Sequence, residues 1–277
     1  MSLLSTMADA MRLVAHLCED GLPESRQAVQ IAQRALASAG YDSGPVDGII
    51  GPRTRAAYAR ARADHMAHGA LRIIRCDEEG GADLRAREDG GPHEGRTYYA
   101  PTSDPPQVVV WHWTAGQTTA HGLVGSFRRS RLSSHYAIDA TGIYELLPPK
   151  FRGWHATWIN RVAIGVDICQ PVRAERLVEA RDAGYDCKIM PNPSSRGERN
   201  CLSLDPRVAA RARWLAEYLS TAYGIPLITP VSSDVQWTST RGLGAWSGHV
   251  GHHHVSASKW DIAPWMGDIL PRVREDA

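Results

Sequence analysis

Apolar residues recur at helical spacing from Ser25 to Ala39, where Ala28, Val29, Ile31, Ala32, Leu36 and Ala37 share a face and Gly40 supplies a stop. The dense turn Tyr41-Asp42-Ser43-Gly44-Pro45-Val46-Asp47-Gly48 follows. Gly51-Pro52 then opens a second helix through Thr54, Ala57, Tyr58 and Ala61. Ahead of both, Met1–Gly21 reads as an amphipathic helix, because Asp9, Arg12, His16, Glu19 and Asp20 break up its apolar positions. From about Asp77 to Gln107 the periodicity lapses into Gly, Pro and charge, as in a linker or an irregular extension. At Val108–Trp113 it resumes abruptly as a buried strand. Tyr136–Asp139 and Ile143–Leu147 read as strands around the turn Ala140-Thr141-Gly142, and Ala163–Cys169 as a further strand. Asp205 and Pro206 start a long helix whose stripe is Val208, Ala212, Leu215, Leu219 and Ala222, with Gly224 and Pro226 ending it. The pattern predicts a helical unit over 1–65, a linker or irregular extension over 66–104, and an α/β unit over 105–277, a mixed β-sheet flanked by helices.

Composition narrows the classes. The chain has 277 residues, 43% of them hydrophobic and 22% charged, with a formal net charge of +1. That balance argues against nucleic acid as the main partner. No segment reaches the length of a membrane span, and nothing at the amino terminus reads as an export signal, so synthesis in a cytoplasm is expected. Five cysteines without a CxxC pair argue against a disulfide framework, although Cys187 and Cys201 flank a loop that a bridge could close. Nine tryptophans against two phenylalanines suit contact with sugars, and suit a core equally well.

The loop between the first two helices holds an ordered set: Gly40-Tyr41, Val46-Asp47-Gly48, Gly51-Pro52 and Thr54. Gly48 and Gly51 permit a tight loop, Asp47 can tie down its N–H groups, and Thr54 packs the second helix on it. This set resembles the three-helix type of peptidoglycan-binding domain. The resemblance implies wall binding by a small all-α domain, with no catalysis.

Twelve histidines offer many metal ligands, so position must choose among them. His112 ends the most apolar strand and emerges at Thr114-Ala115-Gly116. The segment Gly251-His252-His253-His254 through Lys259-Trp260-Asp261 adds further histidines, a cation and a carboxylate in one loop. A core role for His112 and an adventitious surface tract remain open from the residues alone.

Four ordered segments carry a second resemblance: Val109–Ala115; Ser133–Asp139 with Gly142-Ile143-Tyr144; Gly153–Ala156 with Ile164–Ile168; and Gly251–Asp261. They are similar to the zinc N-acetylmuramoyl-L-alanine amidases that share a fold with peptidoglycan recognition proteins. That resemblance implies a Zn2+ ion held by His112, His252 and Asp261, with His249 as a rival for the second position because Gly248-His249 also reads as Gly-His. It implies Asp167 as the proton-transferring carboxylate and Lys259 as the oxyanion partner. Substrate contacts are expected at Trp113, Thr114, His135 and His155, with support of a metal ligand or a structural role equally open for His155, and His253 and His254 are expected to orient the loop or face solvent. Two departures from the family stand out: Asp167 occupies a position usually held by Glu, and Ser134 one often held by Tyr, so Tyr136 reads as structural. The implied reaction is hydrolysis of the amide between N-acetylmuramic acid and L-alanine, by a monomer acting on the wall after release, as a phage endolysin does. A non-catalytic peptidoglycan-recognition protein, or a zinc peptidase cutting the stem peptide, would carry some of the same features.

Overall fold

The computed structural model describes residues 22–23, 25–38, 41–68, 73–77, 80–84, 99–114, 116, 118–194, 197–230 and 235–270. The expected helix over Met1–Gly21 and the stop at Gly40 lie outside them, so the described part of the amino-terminal domain shows two helices of the expected three. The chain divides into two compact units, Met1–Arg72 and Ile73–Ala277.

In the first unit, α1 (Arg26–Ser38) and α2 (Pro52–His68) pack through Ala35, Leu36, Ala57 and Ala61. The buried line of α1 is Val29, Ala32, Gln33 and Leu36, at i, i+3, i+4 and i+7, whereas Ala37 is exposed. Gln33 is the polar member that hydropathy could not suggest. Its amide donates to Asp47 Oδ1 and to the Ile49 carbonyl, both at 3.0 Å, and its Oε1 accepts the Gly48 N–H at 2.9 Å. Asp47 Oδ1 also accepts the Ile49 N–H, and the Thr54 hydroxyl donates to the Ser43 carbonyl. Gly48 is obligatory: its φ is +76°, and a Cβ there would sit 2.6 Å from the Arg26 carbonyl oxygen. Gly51 is not required in the same way. Its φ is ordinary and a Cβ would meet nothing within 4 Å, so its expected part in tightening the loop is corrected.

The second unit is built on a six-stranded mixed sheet. Its strands are β1 (Ile73–Ile74), β3 (Val108–Trp113), β4 (Tyr136–Ile138), β5 (Ile143–Glu145), β7 (Ala163–Ile168) and β10 (Gly248–Gly251), in the order β1-β5-β4-β7-β3-β10. The β4–β5 pair is an antiparallel hairpin and the other pairings are parallel. Asp139 makes the hairpin turn, accepting the Thr141 and Gly142 N–H groups on Oδ1, and its Oδ2 accepts the Ala120 N–H at the start of α3 (Ala120–Ser130). Two small antiparallel pairs lie outside this sheet, β2 (Tyr99–Pro101) with β6 (Phe151–Gly153) and β8 (Ile189–Pro191) with β9 (Asn200–Leu202), as do the short helices α4 (Leu177–Asp182) and α6 (Thr240–Leu243). The described parts of 66–104 beyond Arg72 are not a free tether, since β1 pairs with β5, Ala82 and Leu84 are buried, and the Leu84 N–H donates to the Leu146 carbonyl.

Strand alternation gives the sheet two apolar faces. Val108, Val110, His112, Ala137 and Asp167 lie on one face, with α3 and the turns after β6. Val109, Trp111, Tyr136, Val166 and His249 lie on the other, where α5 (Pro206–Tyr223) supplies Ser220 to His249. As the sequence signals, Asp205 caps α5 by accepting the Arg207 N–H, Pro206 sits in the first turn, and Gly224 ends the helix at φ +67°. Its buried stripe stops at Leu219, and Ala222 is exposed. Cys187 and Cys201 are both free and buried, as are Cys76 and Cys169, so the loop they flank is not bridged. No helix among the described residues is long and apolar enough to cross a membrane.

Candidate active site

β3 carries His112 to the carboxyl end of the sheet, and β7 places Asp167 directly beside it in register. β10 ends at Gly251, where the chain turns into the single-turn helix α7 (His252–Val255), and the following loop brings back Asp261. Three ligand-type atoms converge there. His112 Nδ1 and His252 Nδ1 are 3.1 Å apart, His252 Nδ1 is 3.0 Å from Asp261 Oδ2, and His112 Nδ1 is 3.5 Å from the same oxygen. All three residues are buried. Imidazole lone pairs and a carboxylate oxygen at such spacing repel unless a proton or a cation lies among them. A tetrahedral zinc with bonds of about 2.0–2.2 Å would set its ligand atoms about 3.3–3.5 Å apart, so this triangle fits one after small outward shifts. Burial works against ionisation of Asp261, yet the hydrogen bonds and charges of His112 and His252 outweigh it and hold the carboxyl well below its usual range.

His249 is placed elsewhere. It pairs with Val109, one residue out of phase with His112, so its ring points to the opposite face of the sheet. There Trp111 Nε1–H donates to its Nδ1 at 3.1 Å, and Ser220 Oγ lies 2.8 Å from its Nε2. Burial depresses its pKa to about 3. With both nitrogens engaged, it is a core histidine outside the triangle.

Asp167 has a different environment from Asp261. It is buried, its Oδ2 has no hydrogen-bond partner among the described residues, and burial raises its pKa against the opposing pull of His112 and Ser134. A cleft of about 250 Å³ opens over it, bounded by His112, His155, His252 and Asp261 on the side of the triangle and by Leu123, Phe127 and Leu132 opposite. Trp113, Thr114 and the exposed Lys259 also line this cleft. Trp113 meets the rings of Trp260 and Trp265 edge-on, with centroids 4.5 and 5.8 Å away. The apolar wall from α3 and Leu132 was not foreseen, because no element was expected between Val108–Trp113 and Tyr136–Asp139.

The two histidines expected at the substrate have separate tasks. His155 lines the cleft, but its Nδ1 lies 3.0 Å from His112 Nε2. A metal ion on His112 Nδ1 would leave that ring's proton on Nε2, where His155 Nδ1 is placed to accept it, so this contact would set the tautomer of His112. His135 is no substrate contact: the Gly165 N–H donates to its Nδ1, its Nε2–H donates to the Phe151 carbonyl, and burial lowers its pKa to about 4. Between these rings, Gly165 leaves no room for a side chain, since a Cβ would lie 2.8 Å from His155 Cγ and from Ser134 Oγ. A glycine inside an apolar strand was the signal available for this close approach. Tyr136 is fully buried on the opposite face and bonded to Tyr223, in keeping with a structural role.

Residues 102–264, which hold every member of this constellation, match the N-acetylmuramoyl-L-alanine amidase family model. The chain belongs to that family. Residues 25–60 of this amidase match the peptidoglycan-binding domain family, so α1, its loop and the first part of α2 form a domain of that type. Among solved structures, the amidase is similar to a mutant endolysin from Bacillus subtilis at 20% identity, covering 71% of this chain and 96% of that one with a TM-score of 0.40. It is also similar to the endolysin amidase LysCS from Clostridium intestinale at 14% identity, covering 67% and 83% with a TM-score of 0.38. Drosophila peptidoglycan recognition protein SD is matched at 16% identity over 74% and 97%, with a TM-score of 0.43. No curated protein sequence matches the chain.

Proposed function

We propose that this amidase uses zinc, held by His112, His252 and Asp261, to cut the bond between the lactyl group of N-acetylmuramic acid and the L-alanine of the stem peptide. The observation that carries the reading is the convergence of two imidazole nitrogens and a carboxylate oxygen within 3.5 Å of one another at the floor of a cleft. In that triangle zinc would supply a Lewis acid that polarises the amide carbonyl and acidifies water near neutral pH.

The chain's own residues supply the rest. Asp167 takes the proton of the attacking water and returns it to the departing nitrogen. Its buried, unpartnered Oδ2 and raised pKa suit a group that must both accept and release a proton. Lys259, at the cleft rim, neutralises charge developing on the carbonyl oxygen. His155 holds His112 in the tautomer that offers Nδ1, while Trp113 and Thr114 shape the wall against which the substrate lies. The aspartate is one methylene shorter than the glutamate usual in the family, so the carboxylate reaches less far toward the scissile bond.

The pairing of this unit with an amino-terminal peptidoglycan-binding domain supports a lytic enzyme acting on the wall, and we propose that it works as a monomer made in a host cytoplasm and released to the wall, as an endolysin is. Asp167→Asn is expected to lower turnover about 10²–10⁴-fold with zinc content unchanged. Metal analysis and wall-clearing rates on the same preparation check this, and a variant that kept its rate would remove Asp167 from the mechanism.

A further inference from the structure

The run His252-His253-His254 puts three imidazoles on one turn, and the proposed reaction uses only the first. The other two do not face solvent, being 1% and 2% exposed. Buried ring nitrogens need partners. His254 Nδ1 accepts the Gly251 N–H at 3.0 Å and so ties the turn to the end of β10. His253 Nδ1 lies 3.0 Å from the main-chain oxygen of Asp261. A carbonyl only accepts, so Nδ1 carries the proton and donates it.

That carbonyl belongs to the peptide joining Asp261 to Ile262, whose φ is +65°. A left-handed backbone is disfavoured for a β-branched residue, and persists only where its surroundings enforce it. Here Ile262 is fully buried, and its side chain and the His253 ring crowd the same backbone. A Cβ on Gly251 would lie 2.3 Å from His253 Cε1 and 2.8 Å from Ile262 Cγ2. Gly251, His253 and the Asp261–Ile262 link therefore pack as one unit behind the ligands His252 and Asp261.

We propose that His253 is a positioning residue for the metal triangle: its Nδ1–H holds the Asp261–Ile262 peptide in the left-handed turn and so aims the Asp261 carboxylate at His252 and His112. The inference rests on reading that triangle as a zinc site. The turn carrying one ligand thus fixes the loop carrying another, and the donor set is arranged before the ion arrives. Loss of the bond frees the Asp261 carboxylate and weakens zinc binding without removing a ligand.

The test uses the full chain, stripped of metal and titrated with zinc against a chromophoric chelator, with the thermal unfolding of the metal-free protein measured in parallel. His253→Leu keeps the bulk and deletes the donor; His253→Asn keeps an N–H near the Nδ1 position. The zinc dissociation constant is expected to rise about 10–100-fold for the leucine variant and to stay within a few-fold of the parent for asparagine. The metal-free unfolding temperatures of the two variants should move together. Should the leucine variant fail to fold, His253→Gln, whose N–H cannot reach the same point, takes its place. Parent-like zinc affinity without the donor would overturn the proposal, as would equal loss of affinity in both folded variants. A parent protein that binds no zinc would instead overturn the reading of the triangle itself, and His253's role with it.

Discussion

His249 and His252 stand three residues apart, each after a glycine, and the structure gives them unrelated tasks. A strand alternates its side chains, so pairing His249 with Val109 turns it from His112 toward Trp111 and α5, while the chain leaves β10 before His252. His252→Ala is expected to abolish zinc retention and His249→Ala to keep it at reduced stability, with metal content after dialysis deciding between them. The pH dependence follows from burial. The folded state holds His249 near pKa 3, against about 6.5 when unfolded, so only the unfolded chain takes up a proton between those values. Its contribution is whole above pH 6.5 and falls as pH drops toward 3, by about 1.4 kcal/mol per pH unit. Between pH 7.5 and 5 the metal-free His249→Gln variant should lose about 2 kcal/mol less stability than the parent, as read by denaturant unfolding. The grouping of His112, His252 and Asp261 was legible because their type and order match the family. The inward facing of His253 was not, and for His155 the contact with His112 was only one of several open roles, because each depends on an atom brought close only by folding.

At the scale of elements, the sequence disclosed most where local chemistry and tertiary need agree. Asp205-Pro206 and Gly224 mark α5 at both ends because capping and termination are local events. The strands Val108–Trp113 and Ala163–Ile168 are legible because a strand buried on both faces is apolar throughout. Elements fixed only by a distant partner escaped for the converse reason. β1 is two residues whose pairing with β5 is set by a partner about 70 positions away, and its surroundings read as linker. Gly165, on the strand that carries Asp167, shows what the site demands of an element. A methyl group there would press on His155 Cγ and Ser134 Oγ, both 2.8 Å away. Gly165→Ala is expected to destabilise the protein by about 1–3 kcal/mol. It should also lower turnover more than a surface substitution of equal destabilisation, as unfolding curves and rates measured together would show.

The molecule joins a wall-binding unit ending at Arg72 to an amidase unit beginning at Ile73. Each has its own polar organiser: Gln33 at the centre of the small module's loop, and the histidine–aspartate triangle at the floor of the cleft. Removing residues 1–72 is expected to weaken sedimentation with purified walls while leaving turnover of a small soluble muropeptide within a few-fold, because avidity for an insoluble polymer comes from the added contact. Equal losses on both substrates would contradict a division of labour. The central claim, zinc-dependent cleavage of the muramoyl–alanine amide, is met most directly by end-group analysis of peptidoglycan digested with the intact chain, before and after chelation. The account predicts new L-alanine amino termini without new reducing sugar ends, their disappearance on chelation, and their return with zinc. New reducing ends, new amino termini other than L-alanine, or cleavage indifferent to chelation would contradict it.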